Sequence, residues 1–307
     1  MTTTLSDVIG PGRDGRVVLT DSGLGGLSIC AGLERRLRGA GGGRRFDLVY
    51  VNAWPDEARG YNDLAGENAR AAVFDRALAA MARYRPDLLV IACNTLSVVY
   101  ERTAFARSPV APVAGILDAG IALFARALGE DAAAALVLFG TRTTIGSGEH
   151  ARRLAALGVD PWRVRGAACH GLAAAIDKDP DAEALPGLVE ACVAHALEGG
   201  PVGPAPLAGL ACTHYGYVAG EFGRAFERLT GAPVRVLDPN ERLIEDLTAG
   251  QDDDAPSGGG ASSVRVEVVS KVALAEGQRQ AVARRLEHVS PATAQALAGY
   301  THIPTLF

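Results

Sequence analysis

Short β-branched or leucine-rich runs recur along the chain between longer Ala/Leu/Arg segments with helical spacing: RVVLT, FDLVYV, DLLVIA, PVAGI, ALVLFG, PLAGLA and PVRVLD. Unbroken apolar runs of this length belong to strands buried on both faces. Their alternation with helical segments predicts β-α-β units and a parallel sheet. One such segment, NDLAGENARAAVFDRALAAMARY, predicts a helix with Asn62 or Asp63 as its cap and Pro86 just beyond its end. In open α/β sheets ligands bind beyond the carboxyl ends of strands, so the residues directly after each run are the candidates for chemistry.

Two stretches interrupt the rhythm. Residues 39 to 45 read as a flexible loop before the second strand, and QDDDAPSGGGASS at 251–263 has the composition of a mobile linker. Beyond it, VRVEVVSK and EGQRQAVARRLEHV predict one more strand and helix added to the sheet. A weak internal repeat pairs IACNTLS at 91–97 with LACTHYG at 210–216. Its offset suits two similar α/β halves, each presenting a cysteine at a strand end beside a shared cleft. The expected division is a first α/β domain of residues 1–117 plus 233–307, with the 251–263 linker inside it, and a second of 118–232. The fold class expected is two pseudo-symmetric, Rossmann-like or flavodoxin-like parallel-sheet domains.

Composition narrows the function. The 307 residues are 48% hydrophobic and 21% charged, which places the chain among ordinary globular proteins. The net charge of −5 leaves no basic footprint, so no nucleic-acid partner is expected. No apolar run is long enough to span a bilayer and the N-terminus lacks a basic head before an apolar stretch, so no membrane partner is expected and the cytoplasm is the expected compartment. Five cysteines without a C-x-x-C motif point to reduced thiols, and Cys212 with His214 lacks the second ligand pair of a metal site. The two lysines, Lys178 and Lys271, do not sit where a buried Schiff-base lysine would, so pyridoxal phosphate is not expected.

Three strand ends carry the chemistry. Asp21-Ser22-Gly23-Leu24-Gly25-Gly26 follows RVVLT, and its glycines let backbone N–H groups approach an anion at a helix start. A dinucleotide fingerprint fails because Ser28 replaces the last glycine and no acid closes the next strand at Asn52 or Ala53. Asp21 then either faces the site or caps the helix. Cys93-Asn94-Thr95 follows DLLVIA; the helix dipole would favour the Cys93 thiolate, with Asn94 and Thr95 free to bond a carboxylate, though an isolated cysteine is more often simply buried. Cys212-Thr213-His214-Tyr215 follows PLAGLA, where the imidazole can tune the thiol. Cys30, Cys169 and Cys192 read as core, and His195, His288 and His302 as solvated or satisfied. For His150 and His170 a structural role is the stronger reading, against a place beside the cleft.

Taken together, DSGLGG, ACNTLS, FGTRTTIGSGEH and ACTHYG, in this order and spacing, resemble the aspartate/glutamate racemase superfamily, most closely the glutamate racemases, over roughly residues 16 to 245. The resemblance implies two pseudo-symmetric domains with the active site between them and racemisation without a cofactor. It implies that Cys93 and Cys212 face opposite sides of the substrate Cα, assisted by Asp21 and His214. Substrate-binding positions implied are Ser22, Tyr61, Asn62, Asn94, Thr95, Thr141, Thr144 and Thr213. The partner implied is a small amino-acid substrate, with a role in peptidoglycan synthesis, and a homodimer is allowed.

The chain departs from the family pattern in the walls of the site. Arg59-Gly60-Tyr61-Asn62 replaces a Pro-Tyr-Gly stretch, Ala53 stands near a missing aspartate, Asp177 replaces a glutamate, Asp118 stands where glutamate or proline is usual, and Gly216 replaces a proline. The expected reaction is interconversion of L- and D-glutamate or a related acidic amino acid. Racemisation or isomerisation of another α-substituted carboxylate, or metabolite binding without catalysis, are the alternatives.

Overall fold

The computed structural model describes residues 3–10, 12–200, 203–251 and 260–307. Ten strands form in chain order: β1 (Gly15–Asp21), β2 (Arg45–Asn52), β3 (Leu88–Ile91), β4 (Val113–Gly115), β5 (Ala134–Gly140), β6 (Val164–Ala168), β7 (Ala205–Ala211), β8 (Arg235–Leu237), β9 (Ser263–Ser270) and β10 (Thr301–His302). They build a six-stranded sheet in the order β10-β9-β2-β1-β3-β4 and a four-stranded sheet in the order β6-β5-β7-β8. Every strand pair is parallel, as the unbroken apolar runs require.

Burial on both faces is visible residue by residue. Val17, Leu19, Leu48 and Tyr50 enter one core of the larger sheet, and their neighbours Val18, Val49 and Val51 enter the opposite one. The smaller sheet divides likewise, with Val137, Phe139 and Leu210 on one side and Leu136, Leu138 and Leu207 on the other. Successive side chains of a strand point to opposite faces, so helices must cover both.

Three local expectations are revised. The strand at 235–237, read as part of the returning first half, pairs with β7 in the smaller sheet. The helix expected from residue 62 runs Gly66–Ala82; Tyr61–Asp63 is a separate 3-10 turn, closed by the Gly60 N–H donating to Asp63 at 2.9 Å. Asn62 instead accepts from the Thr143 N–H at 3.3 Å. Of the expected 251–263 linker, residues 252–259 lie outside the described residues. Its ends are ordered, since Gln251 and Ser262 are buried and Ser263 opens β9.

The predicted last strand is internal to the sheet. β9 pairs with β2 along its whole length, from Arg45↔Ser263 to Asn52↔Ser270. It is followed by helices Glu276–Glu287 and Pro291–Ala298. Among the described residues no helix is long and apolar enough to cross a membrane.

Candidate active site

The carboxyl ends of β1, β3 and β7 converge on a cavity of about 710 Å³, so both sheets contribute to one site. Asp21, Ser22 and Cys93 line it from the larger sheet; Cys212, Thr213 and His214 line it from the smaller. Asn62, Asn94, Thr95 and Thr141 complete the inner wall. Two candidates stand behind it. Tyr61 is buried edge-on against Phe74, and Thr144 bonds Thr141 at 3.0 Å and Thr95 at 3.2 Å. The third side of this hydroxyl triangle is Thr95 to Thr141, 2.9 Å.

Around Cys93 the charge is acidic. The Sγ lies 3.2 Å from the Ser22 hydroxyl, and Asp21 lies alongside. Burial pushes the Cys93 thiol well above its ordinary range, and the Asp21 carboxylate adds to the shift. The expectation of a helix-favoured thiolate is thus reversed: the helix that follows, Asn94–Tyr100, is two turns long, and desolvation outweighs it. Asp21 is itself fully buried and its pKa is raised by that burial, against the opposing pull of His214 and of Thr213, whose hydroxyl donates to Oδ2 at 2.7 Å. Asp21 does not cap the next helix, whose N-cap is Gly26 with no side-chain bond.

Around Cys212 the charge is basic. Its Sγ lies 3.7 Å from Nδ1 of His214, whose Nε2 is 2.7 Å from Asp177. Burial opposes the imidazolium, yet the hydrogen bonds to Asp177 and Cys212 outweigh it and hold His214 well above the ordinary histidine range. The glycine loop explains how these groups fit. A Cβ on Gly25 would stand 2.6 Å from His214 Nδ1 and 2.7 Å from the Thr213 hydroxyl. The loop also holds an anion, as its glycines suggested, but the anion is the protein's own: the Leu24 N–H donates to Asp177 at 2.8 Å. Gly216 is required in the same way, since a Cβ there would lie 2.6 Å from Asp238 and 2.7 Å from Asn240, and Asn240 donates to the Thr213 carbonyl at 3.0 Å.

The remaining cysteines do not line the cavity. Cys30 is fully buried under the larger sheet, and Cys169, with Cys192 beside it, belongs to the core of the smaller one. His195, His288, His302 and His170 are exposed. His150 is different: it is buried 3.2 Å from Asn94 Oδ1, and burial lowers its pKa to about 4, so it stays neutral. A neutral ring can donate from Nε2 and leave the otherwise unpartnered Asn94 Nδ2 for a ligand.

The sequence reading missed the outer wall. Trp54, Ala173 and Ala174 line it, as does the helix Glu276–Glu287, which also reaches the catalytic candidates: Gln278 Nε2 donates to Asp177 Oδ2 at 2.5 Å. No spacing motif announces this contact, because it joins residues a hundred positions apart.

A family model described as Asp/Glu/Hydantoin racemase matches residues 22–247. The chain belongs to the Asp/Glu/Hydantoin racemase family. Among curated members, the glutamate racemase of Syntrophus aciditrophicus is 33% identical over 138 residues, 45% of this chain and 46% of its own length. That of Vibrio vulnificus is 32% identical over 103 residues, 34% of this chain and 36% of its own. The chain thus spans well under two thirds of the length of these curated racemases. In three dimensions the likeness is broader. The glutamate racemase of Francisella tularensis, solved with D-glutamate, aligns over 96% of this chain and 98% of its own at a TM-score of 0.68 and 17% identity. That of Bacillus anthracis aligns over 90% and 95% at 0.66 and 20%. At these identities the agreement concerns the fold: two parallel sheets flanked by helices.

Proposed function

We propose that this racemase-family protein inverts the Cα of an acidic α-amino acid, glutamate or a close relative, without a cofactor, using Cys93 and Cys212 as opposed acid/base thiols. The observation that carries the reading is that one cavity receives a thiol from each sheet, and each thiol has its own polar partner. Inversion by proton transfer needs a base on one face and an acid on the other, exchanged in the reverse direction. In one direction Cys212 takes the Cα proton as the C–H bond breaks, and Cys93 gives its proton to the opposite face of the carbanion. In the other direction Cys93 is the base and Cys212, backed by His214, the acid.

Asp21 and His214 adjust the thiols' protons between turnovers, and Asp177 holds the imidazole. The inner wall suits the α-carboxylate: Asn94 offers an unpartnered amide, and Ser22, Thr95, Thr141 and Thr213 add hydroxyls that can bond the developing enediolate. Tyr61, Thr144 and Asn62 support this wall. A binding protein would need neither thiol. The test is incubation with acidic amino acids in deuterated water, following Cα exchange and optical rotation together. Exchange with loss of rotation supports the reading; absence of both for every acidic amino acid sinks it.

A further inference from the structure

The cavity extends well past the thiols, and its outer part has a chemistry of its own. Two helices form its sides, Leu172–Lys178 and Glu276–Glu287, and they pack against each other. Each presents small residues inward and a cation at the rim. Ala174 and Lys178 are one turn apart on the first; Gly277, Ala281 and Arg284 follow at i, i+4 and i+7 on the second. Arg284 therefore stands about 10 Å along the helix from Gly277. The small side chains leave the channel open, and Trp54 gives it an apolar wall.

The rim cations have no internal use. Neither Lys178 nor Arg284 has an ion-pair or hydrogen-bond partner among the described residues, whereas the adjacent Arg285 pairs with Asp181 at 2.6 Å. Of the lining acids, Asp177 is engaged by His214 and Gln278, which leaves Asp179 as the counter-charge at this end. Two cations against the one carboxylate of Asp179, which accepts the Asp181 N–H at 3.0 Å, leave the rim positive in a protein of net charge −5. At about 710 Å³ the cavity is in the range of sites that take drug-sized ligands, so aspartate or glutamate held at the inner wall leaves much of it unfilled.

We propose that the substrate carries a second anion at the end of an extended side chain, received by Lys178 and Arg284, so that the site takes γ-extended acidic amino acids in preference to free aspartate or glutamate. This rests on the racemase reading for the head group. The distal anion is recognised as a charge, by two flexible side chains, and its reach is set by the channel.

The test uses the full chain and four probes in deuterated water: L-aspartate, L-glutamate, γ-L-glutamylglycine and γ-L-glutamylethylamide. The last two have nearly the same length and differ in ending with a carboxylate or a methyl group. Exchange at the glutamyl Cα is expected with a kcat/KM about fivefold higher for γ-glutamylglycine than for the ethylamide, the scale of a solvent-facing ion-pair contribution. Glutamate and aspartate should fall below it. In the double variant Lys178→Ala/Arg284→Ala, both exposed positions, the preference for the carboxylate should vanish, and Arg284→Glu should lower γ-glutamylglycine further. Equal values for the two extended probes, or a preference that survives the double variant, overturns the proposal. Calorimetric binding of the same pair separates this outcome from failure of the racemase reading: exchange with none of the four removes the reaction, while tighter binding of γ-glutamylglycine still upholds the distal site and equal binding rejects it.

Discussion

The two cysteine-bearing strand ends are alike in sequence and opposite in electrostatics. Both follow an apolar strand and an alanine, and both open a polar turn. Yet Cys93 shares its surroundings with a buried carboxylate and a serine hydroxyl, whereas Cys212 faces an imidazole held by Asp177. A repeated local motif therefore places equivalent atoms at the cleft while its neighbours, drawn from elsewhere in the chain, set the proton inventory. Asp21 is reached from the smaller sheet by Thr213, and Asp177 from the larger by Leu24, so the two halves are wired across the cleft.

The strongest way to break the comparison is to remove each thiol in turn. Cys93→Ser and Cys212→Ser are each expected to lower racemisation about a thousandfold, within the range of lost acid/base catalysis. Polarimetry with each pure enantiomer checks this, and near-normal turnover by either variant refutes equal need for both thiols. A smaller loss, about a hundredfold, is expected for Asp21→Asn and for Asp177→Asn. Asp177→Asn should also bring the His214 pKa down, read by NMR of its ring protons, while Asp21→Asn should bring the Cys93 pKa down, read by alkylation rate against pH. Because Asp21 and His214 also attract each other across the cleft, each variant should move its own partner more than that of the other half, and an equal or larger shift of the other half's partner contradicts the electrostatic division of the two halves.

Stability should respond to pH with the same sign in both halves but in different windows. Asp21 and His214 both have raised folded pKa values, so each contribution is fully present below its unfolded value and is lost as pH rises through the folded one. The loss from Asp21 begins above 3.8 and that from His214 above 6.5. Urea unfolding across pH should show the upper decline flattened in Asp177→Asn and the lower one flattened in Asp21→Asn. The smallest expected effect is structural: Gly25→Ala should cost about 1–3 kcal/mol, as overpacking does, because the new methyl meets His214 and Thr213. Thermal unfolding measures it, and an unchanged midpoint would mean the loop can retreat.

The amino-acid sequence already carries the parallel α/β character, because strands buried on both faces must be apolar throughout, and it marked Asp21, Cys93 and Cys212 by their place at strand ends. It also marked Asp177 and Gly216 as departures from a family pattern. Tertiary structure decided what local spacing does not encode: that β8 joins the smaller sheet, that Tyr61 and Thr144 stand behind the cavity wall, that His150 orients Asn94, and that Gln278 and Arg284 close a site built some 60 residues or more away in sequence. Periodicity reports a residue's relation to its own helix or strand. Which charge lies beside a buried thiol depends on chain segments brought together by packing, and in a low-dielectric cleft that neighbour decides where the proton sits.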